Sequence, residues 1–344
     1  MKRTVRYLLI IVTVLLGLGC AKRIYQVAYP TLHDGHYDSE FPYKSSSGEL
    51  SEIAEAVLKL NTVAYYKSYV FSPEKQVTST TLKMARPAEL ADREYFYHNS
   101  VIGTATVLQH YARRVLLVTC NHVIDFPDTV ISTYKESGFI QSISFKERQD
   151  NFVGEFPASG SLEVIARDVS SDLALLAQNF GAADPPFLAE FRYPFGKARE
   201  LEWGSFVYMI GYPKGYKMVT KGIVSQPQRS KDGNFIVDAL FNRGFSGGIV
   251  LAIRDGIPNF ELVGIATSVS ADFGFHLVPD QEEARLQDPR VPYRGENYVK
   301  LEKIINYGIT FVTPVEALLN FLEKNSEMLK REGFDVKRLL DKKE

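Results

Sequence analysis

From about residue 60 onward, apolar residues occur in short runs that are rich in β-branched and aromatic side chains and are separated by turn residues. Such runs are typical of β-strands. Asp232-Gly233 and Asp255-Gly256 each stand between two of these runs, and an Asp-Gly pair is a strong signal for a tight β-hairpin. The pattern predicts an all-β barrel or sandwich. The clearest runs are NTVAYYKSYVF, SVIGTATVLQH, RRVLLVTC, LALLA, FVYMIGYP and MVTKGIVSQ.

Helical patterns occur only at the two ends of this β-rich region. The segment ELSEIAEAVLKL, residues 49–60, has apolar residues near helical spacing, and Ser51 is a candidate cap. At the other end, TPVE at 313–316 combines an N-cap threonine, a proline at the first helical position and a capping-box glutamate. A helix is therefore predicted over the following ALLNFLEK, and a helical tail over residues 326–344.

Length and charge narrow the plausible partners. A chain of 344 residues is long enough for one two-lobed domain with a sizeable core. Its 40 basic and 41 acidic residues leave a net charge of −1. Because there is no basic excess to attract phosphates, no nucleic-acid partner is expected.

The first twenty residues, MKRTVRYLLIIVTVLLGLGC, carry basic residues ahead of an apolar run of 13 residues. That run is shorter than the roughly 20 residues that span a bilayer and fits the apolar core of an export signal. Cys20 closes a sequence similar to a bacterial lipobox, in which the cysteine receives lipid and becomes the mature N-terminus. We therefore expect an exported lipoprotein on the periplasmic face. An uncleaved membrane anchor is the alternative.

The segment that follows the signal, residues 21–48, is rich in Tyr, His, Ser and Pro, has no apolar periodicity and ends in SSSG. Such a composition predicts a flexible tether. Alanine follows Cys20, where retention in the inner membrane usually requires aspartate, so the outer membrane is favoured. Cys120 is the one other cysteine, which rules out a framework of internal disulfides.

Candidate chemistry begins with FNRGFSGGIV, which contains Ser246 among glycines before an apolar run. A serine nucleophile needs a base and a group that orients the base. His122 follows an apolar strand in VLLVTCNHVIDF, and Asp172 precedes one in RDVSSDLALLA. Taken singly, each residue is equally well explained as part of a turn or a strand end. A nucleophile is supported only when the three segments are considered together.

Together these segments resemble the trypsin-like serine proteases, and most closely their bacterial HtrA (Deg) branch. VTCNHV is similar to the histidine strand of that family, SSDLALLA to its aspartate strand, and VDALFNRGFSGGIVL to its serine loop. FVYMIGYPKGYKMVTKGIVS, ELVGIATSV and GITFVTPVEALLNFL are similar to its second barrel and closing helix. The resemblance covers roughly residues 50–324. After the closing helix too few residues remain for a PDZ domain, so none is expected.

The resemblance implies two antiparallel β-barrels of the chymotrypsin type within residues 49–325, the first at about 60–180 and the second at about 195–313, with short helices at both ends. It implies that His122 is the general base, Asp172 its orienting partner and Ser246 the nucleophile. The main-chain N–H groups of Gly244 and Ser246 would form the oxyanion hole. Unfolded or misfolded proteins would be the substrates, with no cofactor and no metal ion. Relatives are often trimers, which leaves a homo-oligomer open.

The resemblance also points to a substrate pocket formed by Leu240, Phe241, Thr267 and Ser268. A buried leucine at 240, where trypsin-like enzymes that cut after Lys or Arg have aspartate, predicts cleavage after Val, Ala, Ile or Leu.

Two segments depart from the family pattern. Phe245 stands where HtrA members usually have asparagine, which puts the setting of the oxyanion loop in doubt. The polar stretch 270–306 is interpreted as a solvated loop, with a lid or a partner surface as the alternative.

Two other functions stay open at this stage. A protein with the protease fold that binds substrates or partners without cutting them is one, because of Phe245. The other is an α/β-hydrolase esterase, since GFSGG also fits the G-x-S-x-G nucleophile elbow. That fold requires a helix after the serine, whereas here an apolar strand is predicted.

Overall fold

The structure is a computed structural model and describes residues 32–111, 113–135, 137–156, 161–181, 188–279, 288 and 290–340. Most of this part of the chain is β-structure. The strands are β1 Val57–Val70, β2 Arg93–Tyr111, β3 Arg114–Cys120, β4 Thr129–Thr133, β5 Ile140–Val153, β6 Glu163–Asp168, β7 Leu173–Asn179, β8 Phe206–Gly211, β9 Met218–Gln226, β10 Phe235–Asp238, β11 Gly248–Ile253, β12 Phe260–Pro279 and β13 Asn297–Pro314. The α-helices are α1 Ser47–Glu55, α2 Ser79–Met84, α3 Pro87–Leu90, α4 Asn121–Ile124, α5 Val315–Lys324, α6 Ser326–Arg331 and α7 Val336–Leu340.

The strands form two antiparallel sheets, each curled around its own apolar side chains. The first sheet has seven strands in the order β4-β5-β1-β2-β3-β7-β6. The second is a closed barrel in the order β10-β13-β12-β11-β8-β9. The predicted all-β fold of the chymotrypsin type, with short terminal helices, is confirmed. Both Asp-Gly pairs lie between paired antiparallel strands, Asp232-Gly233 between β9 and β10 and Asp255-Gly256 between β11 and β12, as predicted.

The helix predicted over residues 49–60 is only half correct. The helix α1 ends at Glu55, and β1 begins at Val57. Val57 and Leu60 are fully buried within a strand that pairs with β2 and β5, so two partners compete with helical propensity there and win. The apolar residues at the end of this segment belong to a strand whose alternation is hard to distinguish from helical spacing over so few residues.

The closing helix α5 is present, but its predicted capping box is not. Thr313 belongs to β13, and its hydroxyl donates a hydrogen bond to the Ser171 carbonyl at 3.0 Å. The Glu316 carboxylate accepts from the Arg199 N–H at 3.2 Å and does not reach back to its own helix. Tertiary partners therefore take both groups that the local pattern assigned to capping.

The predicted tether is wrong for its described part. From Leu32 to Ser46 the chain lies on the second barrel as a strap. Tyr37 is buried there, and its hydroxyl donates to Glu261 Oε2 at 2.6 Å and accepts from the Lys197 N–H at 2.8 Å. The Arg254 guanidinium lies 4.0 Å from the centre of the Tyr37 ring. Specific aromatic and polar contacts hold the strap, and such contacts leave no periodic trace in the sequence.

The loop predicted over 270–306 is wrong for residues 270–279 and 297–306. β12 and β13 continue through it as a paired two-stranded ribbon that runs from Ala271↔Ile305 to Pro279↔Asn297. We call residues 270–279 with 297–306 the arm.

The signal peptide, Cys20 and the tether up to residue 31 lie outside the described residues. In the described part of the chain, no helix is long and apolar enough to cross a membrane.

Asp38 is a buried carboxyl group in the strap, and no cation pairs with it among the described residues. Burial raises its pKa to about 6, the hydrogen bond from the Gly256 N–H opposes this rise, and Glu40, Asp255 and Asp34 add to it. Because the folded-state pKa lies above the unfolded value of 3.8, Asp38 favours folding at low pH and loses that contribution as pH rises through about 6.

We therefore expect Asp38→Asn to become more stable relative to the wild type as pH rises. The side-chain oxygen of asparagine still accepts the Gly256 N–H without carrying a buried charge. Urea unfolding at about pH 4 and about pH 7.5 should show the difference in unfolding free energy shifting in favour of the variant by on the order of 2 kcal/mol. Asp232→Asn, at an exposed hairpin, is the control and should show no such shift. An equal pH dependence for Asp38→Asn and the wild type would contradict the assignment.

Candidate active site

His122 and Asp172 lie in direct contact at the edge of the first sheet. The His122 Nδ1 atom is 2.7 Å from Asp172 Oδ2, and the His122 main-chain N–H donates to Asp172 Oδ1 at 2.9 Å. One carboxylate thus fixes both the ring and the backbone of His122. With Nδ1 engaged, Nε2 is the ring nitrogen available to another partner.

The pairing of β3 with β7 explains why these residues meet. Cys120 pairs with Leu173, so the residue just after β3 and the residue just before β7 are neighbours by geometry. Asp172 has a positive φ of 56°, a conformation that aspartate tolerates better than most side chains. The Ser171 carbonyl accepts from Thr313 in β13, so the second barrel helps to fix this turn.

Ser246 lies in the loop between β10 and β11 and faces β12. Its hydroxyl donates to the Thr267 carbonyl at 3.1 Å. The next residue, Gly247, donates its N–H to the Ala266 carbonyl at 2.9 Å. The serine is therefore held beside β12, and in this structure its hydroxyl bonds to Thr267 and not to His122.

The carbonyl groups of the serine loop, residues 242–246, all have hydrogen-bond partners. The Asn242 and Phe245 carbonyls accept from N–H groups within the loop or just after it, at 3.0 and 2.8 Å. The Arg243 carbonyl accepts from the Lys214 N–H at 2.7 Å. The Gly244 carbonyl accepts from the Thr104 hydroxyl, and the Ser246 carbonyl from the Thr104 N–H, both at 2.8 Å.

Four N–H groups of the same loop, those of Asn242, Arg243, Gly244 and Ser246, have no hydrogen-bond partner among the described residues, and the last two are the donors that the resemblance implies. In a trans peptide the N–H points opposite to the preceding carbonyl. Because the Arg243 carbonyl is held by Lys214, the Gly244 N–H points away from Lys214. The same reasoning applies to Ser246, since the Phe245 carbonyl is held by Gly248. The loop thus presents free donors where the resemblance implies an oxyanion hole, and no loop carbonyl is left to occupy them.

Close approach of neighbouring backbone makes glycine necessary at two loop positions. Gly244 has φ +100°, and a Cβ there would collide with the Tyr212 carbonyl oxygen. Gly247 has φ +87°, and a Cβ there would collide with the Thr104 carbonyl oxygen. Both residues therefore need a conformation that disfavours side chains and a space that excludes them.

Phe245 fixes the loop by burial. The side chain is only 1% exposed, and its ring lies over Gly211 and Gly248 and 5.7 Å from the ring of Phe241. Burying a phenylalanine contributes about 1.5–3 kcal/mol. The sequence raised the question of how the loop is held when phenylalanine replaces the asparagine that is usual at this position. In this structure the buried Phe245 ring holds the loop by apolar contact.

Thr104, in β2, joins the first sheet to the serine loop and was missed by sequence reasoning. Besides its two bonds to the loop, its hydroxyl accepts from the Tyr212 N–H at 2.9 Å, and its carbonyl accepts from the Thr119 hydroxyl at 2.7 Å. The sequence shows only a threonine in an apolar strand. The sequence feature that could have drawn attention to this position is the preceding Gly103. A Cβ at residue 103 would collide with Val123, which follows His122 in the sequence.

The predicted substrate pocket needs correction. Leu240 is 64% exposed, so the expectation of a buried leucine at the pocket base is wrong. Phe241 is buried against Phe245 in the barrel core. Leu240 and Phe241 follow the end of β10 at Asp238. The side chains of these two adjacent residues do not both point into the core, and it is Phe241 that does. Thr267 lies beside the nucleophile, and Ser268 is exposed next to it.

A metal ion has one candidate site in the described part of the chain. Donor atoms of Cys120, His122 and Asp172 lie within 4.8 Å of one another. Complete burial, with Asp172 adding to the effect, raises the pKa of the Cys120 thiol, and the thiolate is the form that binds metals. The chemistry of this donor set therefore disfavours a metal.

The chain is similar to known proteins over part of its length. Residues 103–265 match a family described as a trypsin-like peptidase domain. This range is just under half of the chain and includes His122, Asp172 and Ser246. Among solved structures, the chain is similar to an HtrA-type protease, AlgW with a decapeptide, with 18% identity over 83% of this chain and 67% of that one and a TM-score of 0.44. No curated protein matches the chain significantly.

We expect Thr104→Val to impair hydrolysis of a peptide by lowering kcat more than it changes KM. The change removes the hydroxyl from both the Gly244 carbonyl and the Tyr212 N–H. Each buried group left unpaired costs about 1–3 kcal/mol, so kcat should fall on the order of tenfold to a hundredfold as the loop loosens.

The matched control is Thr106→Val, two residues along the same strand. Thr106 is buried, and its hydroxyl has no hydrogen-bond partner among the residues that the structure describes, so its loss should leave kcat unchanged. Thr104→Ser keeps the hydroxyl and should retain most activity. Similar losses in Thr104→Val and Thr106→Val, with equal drops in melting temperature, would indicate a general packing effect and not a positioning role.

Proposed function

We propose that this protein is an exported serine endopeptidase of the HtrA type that hydrolyses peptide bonds of unfolded proteins. The observation that carries this proposal is the serine loop, in which every carbonyl from 242 to 246 accepts a hydrogen bond while the N–H groups of Gly244 and Ser246 have no partner in the described part of the chain. A loop set in this way is ready to bind an oxyanion before substrate arrives. The match of residues 103–265 to trypsin-like peptidases supports the same reaction.

In the proposed mechanism, Ser246 Oγ attacks the scissile carbonyl carbon while its proton passes to His122 Nε2. Asp172, bonded to Nδ1, keeps the ring oriented and stabilises the imidazolium that forms. The developing oxyanion accepts hydrogen bonds from Gly244 and Ser246, each worth about 3 kcal/mol in the transition state. The protonated His122 then donates its proton to the leaving amine, which yields an acyl-enzyme on Ser246. Water, deprotonated by His122, releases the N-terminal product.

One movement must precede the attack. The Ser246 hydroxyl donates to the Thr267 carbonyl at 3.1 Å, so it has to turn towards His122 before it transfers its proton. Rotation about a single side-chain bond achieves this, and side-chain rotations are fast compared with typical turnover. The same hydrogen bond is the observation that favours the second candidate function, a protein of this fold that binds unfolded chains without cutting them.

Position 240 is leucine, so it offers no carboxylate to pair with a basic substrate side chain. Because Leu240 is exposed and does not form a buried pocket base, it gives no ground for a preference among aliphatic residues. We therefore propose only that the pocket for the residue before the scissile bond disfavours Lys and Arg.

The wild-type protein should degrade casein, whereas Ser246→Ala, His122→Ala and Asp172→Ala should each lose activity by at least about a thousandfold. The three losses should not add, because the residues act as one unit. Ser132→Ala, at an exposed serine in β4, is the matched control and should retain full activity. Gel analysis and sequencing of the fragments measure both the rate and the cleavage sites.

Equal degradation by the wild type and Ser246→Ala would remove the assignment of the nucleophile. If both proteins bind unfolded casein and neither degrades it, the binding function is correct. Cuts clustered after Lys and Arg would contradict the proposed pocket.

Export and lipid attachment are part of the same proposal. The apolar run and Cys20 in the first twenty residues support an anchor on the periplasmic face, more plausibly of the outer membrane. Mass spectrometry of the mature protein should find a lipid-modified Cys20 as the first residue, and Cys20→Ser should shift the protein from the membrane fraction. Cys120→Ser is the control, because that thiol is buried in the fold. An intact Met1 in the membrane fraction would instead indicate an uncleaved anchor.

A further inference from the structure

The arm is a two-stranded ribbon with two chemically different faces. Residues two apart on a strand share a face, and so do residues directly opposite each other on paired strands. One face therefore carries Phe273, Phe275 and Leu277 from β12, opposite Lys303, Leu301 and Val299 on β13. The five apolar residues of this face are all exposed, Phe275 to 77% and Leu277 to 72%.

The opposite face of the arm is mostly polar. It carries Asp272, Gly274, His276 and Val278 from β12, opposite Ile304, Glu302, Lys300 and Tyr298 on β13. Ile304 and Tyr298 are exposed there as well but lie at opposite ends of the row, whereas the five apolar side chains of the first face are contiguous. A contiguous exposed apolar surface is the pattern of a sheet face that a partner covers.

The two edges of the arm also differ. Among the described residues, β12 pairs with β11 only as far as Ala266, so beyond that point its outer edge is free. From Ser268 to Leu277 this edge reads SVSADFGFHL, with no lysine or proline and with Asp272 as its one acidic residue. The outer edge of β13 carries Lys300, Glu302 and Lys303, the kind of charged residues that prevent unwanted pairing of strands. The β12 edge is therefore the more open of the two to an added strand.

The open edge begins at the nucleophile. The Ser246 hydroxyl is bonded to the Thr267 carbonyl, and the same strand continues from there into the arm. From Val269 to Leu277 the strand extends by about 27 Å at about 3.4 Å per residue. An extended chain on this edge would run from the scissile bond onto the arm, past the register shifts at Ala266/Ser268 and Val269/Ala271.

We propose that the arm is a binding surface for the N-terminal part of an unfolded polypeptide substrate, which adds to the free edge of β12 as a further strand. Its main chain pairs with the edge, and its alternate apolar side chains cover Phe273, Phe275 and Leu277. The N-terminal part is the one bound because β12 runs from Thr267 into the arm, so a chain that pairs with it in the antiparallel direction, like the other strands of this barrel, extends its N-terminal part along the arm. This inference rests on the proposed function and adds a substrate class, chains with apolar residues at alternate positions well ahead of the cleavage site.

The test compares two fluorogenic peptides with the same four residues before the scissile bond. The longer peptide carries the additional N-terminal extension Ser-Val-Ser-Val-Ser-Val, and a third peptide has Ser-Gly repeats of equal length. For the wild type, kcat/KM should be at least about tenfold higher for the Ser-Val peptide than for the short one, since burying even one valine contributes about 1.5 kcal/mol or more. The Ser-Gly peptide should gain less.

The variants Phe275→Asp and His276→Asp form a matched pair, because they place the same charge on adjacent residues of opposite faces. Phe275→Asp should reduce the ratio of long to short kcat/KM to about 1, and His276→Asp should keep it. Phe275→Leu retains an apolar side chain and should keep most of the gain. Leu277→Asp is a second variant on the same face, in case Phe275→Asp disturbs the ribbon, and it should also reduce the ratio.

Four outcomes decide between the proposals. If no peptide is cleaved by the wild type, the proposed function fails. If the short peptide is cleaved but the extension brings no gain, only the arm proposal is overturned. It is also overturned if Phe275→Asp and His276→Asp lose the gain equally. The last outcome comes from sedimentation of the wild type and of Phe275→Asp. If the wild type is a dimer and the variant is a monomer, the apolar face binds a second copy of the chain.

Discussion

Thr104 makes the contact on which the geometry of this site depends. Its main chain belongs to the first sheet, yet its N–H holds the Ser246 carbonyl and its hydroxyl holds the Gly244 carbonyl. The serine loop is therefore built from the second barrel but positioned by the first, which also carries His122 and Asp172. Because Thr104 links the serine loop to the sheet that carries His122 and Asp172, a small change in how the two sheets pack would move the nucleophile and the base together. The glycines at 244 and 247 follow from this close approach, since the backbone must come near Tyr212 and Thr104 themselves.

Burial of Phe245 provides the second constraint on the loop. Hydrogen bonds fix the direction of each peptide group, but they do not by themselves prevent the loop from lifting away from the barrel. The Phe245 ring, packed on Gly211 and Gly248, anchors the loop from beneath. An apolar anchor needs neither a charged partner nor a free N-terminus, so the loop adopts its ordered form within the folded chain alone. Apolar packing and hydrogen bonding thus both restrain the serine loop, residues 242–246.

The sequence predicted those features that depend on local alternation or on fixed order along the chain. Runs of β-branched residues indicated the strands, and the two Asp-Gly pairs indicated hairpins that are present. The contact of His122 with Asp172 follows from strand ends that become neighbours once β3 pairs with β7. What escaped prediction depends on partners that are distant in sequence. Thr313 bonds to Ser171 and not to its own helix, Tyr37 binds the strap to Glu261, and the exposure of Leu240 is set by which of two adjacent residues the core accepts.

The arm illustrates how one strand can serve two purposes. Up to Ala266, β12 has a neighbour on both sides, and this part of the strand positions the next residue, Thr267, whose carbonyl contacts Ser246. Beyond that residue only β13 remains, and a two-stranded ribbon is marginally stable on its own. An added substrate strand would supply the missing neighbour and cover the apolar face, so that binding and ordering of the arm would reinforce each other. A folded protein cannot offer an extended segment to this edge without first unfolding locally. The selectivity for unfolded chains that we propose would then reside in the arm, while the loop around Ser246 supplies the chemistry for whichever bond the arm presents.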